Sequence, residues 1–158
     1  RDYHPLDWKA VNMRKQVPVQ DGLFSGSAET VRLIGGRCID CQNHVFPYQT
    51  GCPKCSGTEV EQVELGAEGE LWTWTIQGYP PKAPPYVGDA EEHDFEPFGV
   101  GYVELPDELR VEARLTENDP SRLRIGMPMK LVLVPLTIND LDEEVVTFAF
   151  APKDASNE

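Results

Sequence analysis

The sequence predicts a mostly β protein in three parts: an N-terminal helical arm, a rubredoxin-like ribbon on four cysteines, and a C-terminal five-stranded OB-fold barrel. Three observations predict it. Two Cys-x-x-Cys pairs, Cys38/Cys41 and Cys52/Cys55, stand ten residues apart. Five short segments after them read as strands bounded by Gly, Pro and Asp turns. Ahead of them lie only short patterned pieces, broken by Pro18, Gly22 and Gly26. The expected divisions are 1–34 for the arm, 35–65 for the ribbon, 66–152 for the barrel and 153–158 for a polar tail.

In the arm, Asp7 is placed to cap a short helix through Gln16, with Trp8, Val11 and Lys15 on related faces. A second short helix is expected after Ser27. Pieces this short do not form a core alone, so the arm is expected to pack on something else.

Each cysteine pair can form a tight knuckle whose two thiolates face one ion. The ten residues between the pairs suffice for a hairpin that brings the knuckles together. Four thiolates complete a tetrahedral shell with no open position, the structural kind of zinc site. Gly51 and Pro53 suit the tight backbone, and Arg37 and Lys54 offset thiolate charge. The competing readings are two disulfides, four unrelated thiols or a rubredoxin-like iron shell. No apolar stretch follows Arg1–His4 as a signal peptide would require, so the cytoplasm is the expected compartment, where cysteines read as metal ligands first.

The barrel strands are expected at Leu71–Ile76, Phe98–Leu105, Leu109–Leu115, Met129–Val134 and Val145–Phe150. Strict alternation puts Trp72, Trp74 and Ile76 on one face of the first strand, and Leu71, Thr73 and Thr75 on the other. In the third, Val111, Ala113 and Leu115 oppose Arg110, Glu112 and Arg114. Gly99 and Gly101 permit sharp bending of the second. Residues 77–97 form an insertion with five prolines and an acidic run from Asp89 to Glu96. A loop of that length is functional or disordered more often than structural.

Net charge is −13 over 158 residues, and it is uneven. From Glu59 onward seven basic residues face twenty-two acidic ones, a net of −15. Nucleic-acid binding draws on a basic surface, so these last two thirds of the chain would repel a polyanion. No apolar run approaches the ~18 residues of a membrane helix. Covalent thiolase chemistry needs a reactive Cys with a base nearby. All four cysteines are committed to metal, and His4, His44 and His93 lie in separate segments. An enzyme built on the Asp89–Glu96 carboxylates is weighed against a solvated, repelling loop, and the loop is preferred.

Several stretches carry a resemblance. Gly22–Phe24, Leu33–Cys38, Phe46–Pro47 and Cys52–Cys55 resemble the N-terminal half of the acyl-CoA-associated zinc-ribbon/OB-fold proteins, a former domain of unknown function. Gly69–Thr75, Pro97–Leu105 and Leu123–Met127 resemble their barrel half. The likeness runs from about Gly22 to Pro152, and the long acidic insertion departs from it. It implies a non-catalytic accessory subunit of a thiolase or thiolase-like aldolase acting on a CoA thioester. Aromatic or steroid acyl-CoA catabolism is the implied setting. The implied assembly is a heterotetramer around a thiolase dimer, with one structural Zn2+ per chain and the CoA thioester bound in the complex. The candidates for CoA phosphate contacts are Arg32, Arg37, Lys54 and Lys82, and those for partner contact are Trp8, Phe24, Tyr79 and Tyr86. The alternative reading is a nucleic-acid-binding zinc-ribbon/OB module.

Overall fold

The computed structural model describes residues 14–82 and 95–153. Among these residues there is no α-helix; one 3-10 turn, Pro120–Arg122, is capped by the Asp119 carboxylate accepting from Ser121 N–H. The arm is therefore corrected. Its first helix lies mostly outside the described residues, but its expected end, Gln16, sits in strand β1 (Gln16–Pro18). The second expected helix is replaced by a turn, closed by Thr30 N–H donating to Ser27 C=O at 3.0 Å. Strand β2 (Phe24–Ser25) precedes that turn. Short polar pieces cannot meet the cost of helix nucleation, whereas pairing to an existing sheet edge supplies partners at once.

The ribbon is centred on β3 (Arg32–Cys38). Strand β5 (Val60–Glu64) lines one edge of β3, while β2 and then β4 (His44–Val45) line the other.

All five expected barrel strands are present: β6 (Glu68–Gln77), β7 (Phe98–Glu104), β8 (Arg110–Arg114), β9 (Pro128–Ile138) and β10 (Glu144–Pro152). Antiparallel ladders join β8 to β7, β7 to β6, β6 to β9 and β9 to β10. A parallel bridge between Leu115 and Phe150, with Thr116 N–H donating to Phe150 C=O at 3.0 Å, brings the end of β8 onto β10 and closes the circuit. That order is the OB-fold. The third strand alternates as expected, with Val111, Ala113 and Leu115 buried.

Closing five strands into a small barrel demands sharp coiling. At Gly101 a Cβ would lie 2.7 Å from the Thr73 carbonyl oxygen, and at Gly99 it would lie 2.5 Å from that of Glu117. Only glycine admits backbone this close.

The phase of β6 differs from strict alternation. Leu71 pairs with Val103 and Thr73 with Tyr102, so Trp72 is the extra residue of a β-bulge. The bulge resets the faces. Leu71 is fully buried, Trp74 and Ile76 pack on the core, and Trp72 is thrown out at 46% exposure. There it meets the Tyr102 ring edge-on, centroids 6.2 Å apart, under the Arg110 guanidinium. A second bulge lets β9 run past Pro135: Val146 pairs with Pro135 and Val145 with Thr137, leaving Leu136 unpaired.

One apolar core serves ribbon and barrel together. Val31, Leu33 and Leu65 from the ribbon's root share it with Leu71, Val103, Leu115, Met129 and Phe150. Phe46 of the ribbon packs edge-on against Phe148 of β10, centroids 5.6 Å apart.

Phe150→Ala is expected to cost ~3–5 kcal/mol in denaturant unfolding, as a fully buried ring leaves a cavity at the barrel seam. Trp72→Ala is expected to cost about 1 kcal/mol or less, since it removes an exposed ring and one cation–π contact. The reverse ranking would mean the bulge is misplaced.

Candidate metal centre

The two cysteine knuckles are built alike. In the first, Cys38 N–H donates to Asn43 C=O and Gln42 N–H donates to Cys38 C=O, both at 2.9 Å. In the second, Cys52 N–H donates to Gly57 C=O and Ser56 N–H to Cys52 C=O, again at 2.9 Å. The residue after each second cysteine turns back in the left-handed region, Gln42 at φ 63° and Ser56 at φ 62°. Gly57 closes the second knuckle against the first, where a Cβ would meet an Asp40 carboxylate oxygen at 2.6 Å. Strand β3 delivers Cys38, and its pairing with β5 anchors the return.

The result brings four sulfurs together. Every pair lies within 4.8 Å, with Cys38–Cys55 and Cys41–Cys52 each at 3.6 Å. A tetrahedral ion with sulfurs at about 2.3 Å would place them roughly 3.8 Å apart, so the donor set fits. All four are free thiols, which sets aside the disulfide reading. Cys38 and Cys52 are buried and Cys55 is exposed, so the shell sits near the surface with its inner wall in protein.

The thiols cannot all ionise at this spacing unaided. Hydrogen bonds from the backbone N–H groups of Cys55 and Lys54 lower Cys52 to about 6, against some desolvation. Cys55 also gains a backbone hydrogen bond, from Gly57, but the Cys41 and Cys38 sulfurs outweigh it and push Cys55 up to about 12. A divalent cation removes that conflict by taking four thiolates at once.

The other site candidates do not converge. Arg32 lies exposed at the start of β3, donating to Val31 C=O at 3.1 Å. Arg37 is paired with Glu61 across β3 and β5. Lys54 is exposed in the second knuckle and Lys82 is exposed beyond β6. Of the aromatic candidates, Tyr79 is exposed, at 70%. Phe24 is half-buried and packs on the common core. Trp8 and Tyr86 lie outside the described residues. The exposed Trp72–Tyr102 pair was missed, because only a cross-strand register reveals the bulge.

Comparison with known proteins follows the same division. The rubredoxin-like zinc ribbon domain of ChsH2 is matched by residues 28–61, and the C-terminal OB-fold domain of ChsH2 by residues 62–134. A DUF35 domain-containing scaffold protein of Pyrococcus furiosus is 30% identical over 116 residues, 73% of this chain and 77% of that protein. The chain belongs to the ChsH2-like DUF35 family. Within that family it is also similar to the benzoylsuccinyl-CoA thiolase subunit BbsA of Thauera aromatica. They are 29% identical over 118 residues, 75% of this chain and 74% of BbsA. Among solved structures it matches the Ltp2-ChsH2(DUF35) aldolase with a TM-score of 0.56 and 26% identity, covering 77% of this chain and 84% of that one. The DUF35 ribbon is the part that carries the four cysteines, so fold match and donor geometry agree on a structural zinc centre.

Cys38→Ser is expected to abolish stoichiometric metal and open the ribbon, since structural zinc supplies ~10–16 kcal/mol to a site of this kind. Hydrogen exchange after chelation should rise across residues 36–60 while β6 to β10 stay protected. Equal loss of protection in both would contradict the separate dependence of the ribbon tip on metal.

Proposed function

We propose that this chain is a non-catalytic accessory subunit of a cytoplasmic thiolase or thiolase-like aldolase acting on a CoA thioester. The observation that carries the reading is the likeness, over about three quarters of each chain, to a benzoylsuccinyl-CoA thiolase subunit. The likeness to the Ltp2-ChsH2(DUF35) aldolase supports it from structure. The chain's own chemistry is consistent with it. Its four cysteines face one metal position, so this chain offers no thiol for acyl transfer. A closed four-sulfur shell has no vacant position for a substrate or water.

In this proposal the catalytic subunit supplies nucleophile and base, and the DUF35 chain completes its assembly and acyl-CoA channel. A partner built as a dimer makes the heterotetramer the natural assembly. Most contacts to the CoA phosphates come from the partner, because this chain carries −13. Arg32, Lys54 and Lys82, all exposed, and Arg37, which is paired with Glu61, are the candidates on this side. Phe24 and Tyr79 are the described aromatic candidates for contact with the partner, and Trp8 and Tyr86 remain proposed contacts. An aromatic or steroid acyl group is the proposed substrate class.

Co-expression with a thiolase-like subunit, followed by size exclusion and a CoA-thioester assay, tests this. Activity is expected only with both chains present, and none from this chain alone. A partner that is fully active and stable without it would overturn the proposal. The nucleic-acid alternative has its own readout: binding to single-stranded DNA at micromolar protein and physiological salt is expected to be undetectable.

A further inference from the structure

The short strand β1 has no role in the ribbon, the core or the metal centre. It lies parallel to β10, pairing Gln16 with Glu144, Val17 with Val145 and Pro18 with Val146. It meets the edge of β10 that β9 leaves free, and β8 reaches β10 only at the Leu115–Phe150 bridge. Without β1, the backbone of residues 144–147 would stand open on that side.

What holds β1 is unusual for a strand. Val17 is half-buried, while Gln16, Pro18 and Val19 are exposed. The strand therefore contributes little to the core. Instead, three successive side chains pair with three successive acidic ones. Arg14 Nε meets Asp142 Oδ1 at 2.9 Å, Lys15 Nζ meets Glu143 Oε1 at 2.9 Å, and Gln16 Nε2 donates to Glu144 Oε2 at 2.8 Å. The backbone adds Glu144 N–H to Lys15 C=O at 3.0 Å and Val19 N–H to Val146 C=O at 2.9 Å.

The acidic side is preset. Asn139 Oδ1 accepts from Leu141 N–H and Glu143 N–H, and Asn139 Nδ2 donates to Glu143 Oε2 at 3.0 Å. These bonds fix the β9–β10 turn so that consecutive carboxylates face β1. The hydrogen bonds from Asn139 and Lys15 also hold the Glu143 carboxyl below its usual range. Because Lys15 and Val19 turn their backbone groups toward β10, Pro18 turns its own outward. A proline there blocks any further strand from adding to β1.

We infer that Arg14–Val19 is an ionic latch over the free edge of β10, and that its release offers residues 144–147 to the same strand of a second copy. The occupant follows from register. Only another Arg14–Lys15–Gln16 run reproduces all three side-chain pairs and the backbone ladder. Residues 20–23, with Gly22 at φ 78°, form the hinge from which the strand leaves. Exchange of an identical terminal strand is a low-cost route to a dimer. The inference is independent of the catalytic partner.

Hydrogen exchange on the full chain tests the latch. Raising salt from about 0.01 M to about 1 M shortens the Debye length from roughly 30 Å to roughly 3 Å. The Val19 and Glu144 amides should then exchange about tenfold faster, as expected for local opening, while Leu71 and Leu105 amides stay unchanged. The double variant Asp142→Asn, Glu143→Gln should reproduce that at low salt. Deleting residues 20–22 keeps every side-chain pair but stops the strand folding back on its own chain, so that variant should form dimers on concentration, read by light scattering. The charge exchange Lys15→Glu with Glu143→Lys should restore protection. Salt-insensitive exchange at Val19 and Glu144 overturns the latch. A hinge-shortened chain that stays monomeric at high concentration overturns strand exchange.

Discussion

Four thiolates gathered on one ion are the constraint from which the ribbon's shape follows. The tip of the ribbon has almost no apolar material: its buried cluster is Cys38, Val45, Cys52 and Val60, and two of these are ligands. A segment with so small a core does not hold itself together without a staple. Four sulfurs at this spacing resist ionising together: Cys55 is pushed up to about 12 by the neighbouring Cys41 and Cys38 sulfurs, despite its backbone hydrogen bond from Gly57. A bound divalent cation would turn that conflict into attraction, and the twin backbone loops at residues 38–43 and 52–57 hold the four sulfurs where it would sit.

The ribbon's root answers to different physics. Val31, Leu33 and Leu65 are sunk in the barrel core, and Phe46 stacks edge-on against Phe148. Tip and root thus differ in what stabilises them, metal above and apolar burial below. This arrangement fixes the direction of the ribbon relative to the barrel while leaving the tip free to respond to metal. A face preordered in this way loses less entropy on docking to any partner.

Much of this was legible in the sequence. The cysteine spacing gave the donor set, and alternation at Val111, Ala113 and Leu115 gave the inner face of β8. The rest depended on partners distant in the chain. Trp72 reads as an ordinary member of an alternating strand, and only its pairing against Val103 and Tyr102 makes it the extra residue. The stretch around Gln16 has helix-like spacing, yet an open edge of β10 with three waiting side chains overrides a weak local preference. The candidate cations near a CoA thioester were read from charge alone, and charge does not reveal that Arg37 is already paired with Glu61.

A closed shell of sulfur around the ion can be observed directly. X-ray absorption at the metal edge of the natively purified protein reports element, donor type and distance together. Zinc with four sulfurs at about 2.3 Å and no lighter neighbour in the first shell is the expected result. An oxygen or nitrogen donor in that shell, or iron in place of zinc, would contradict it.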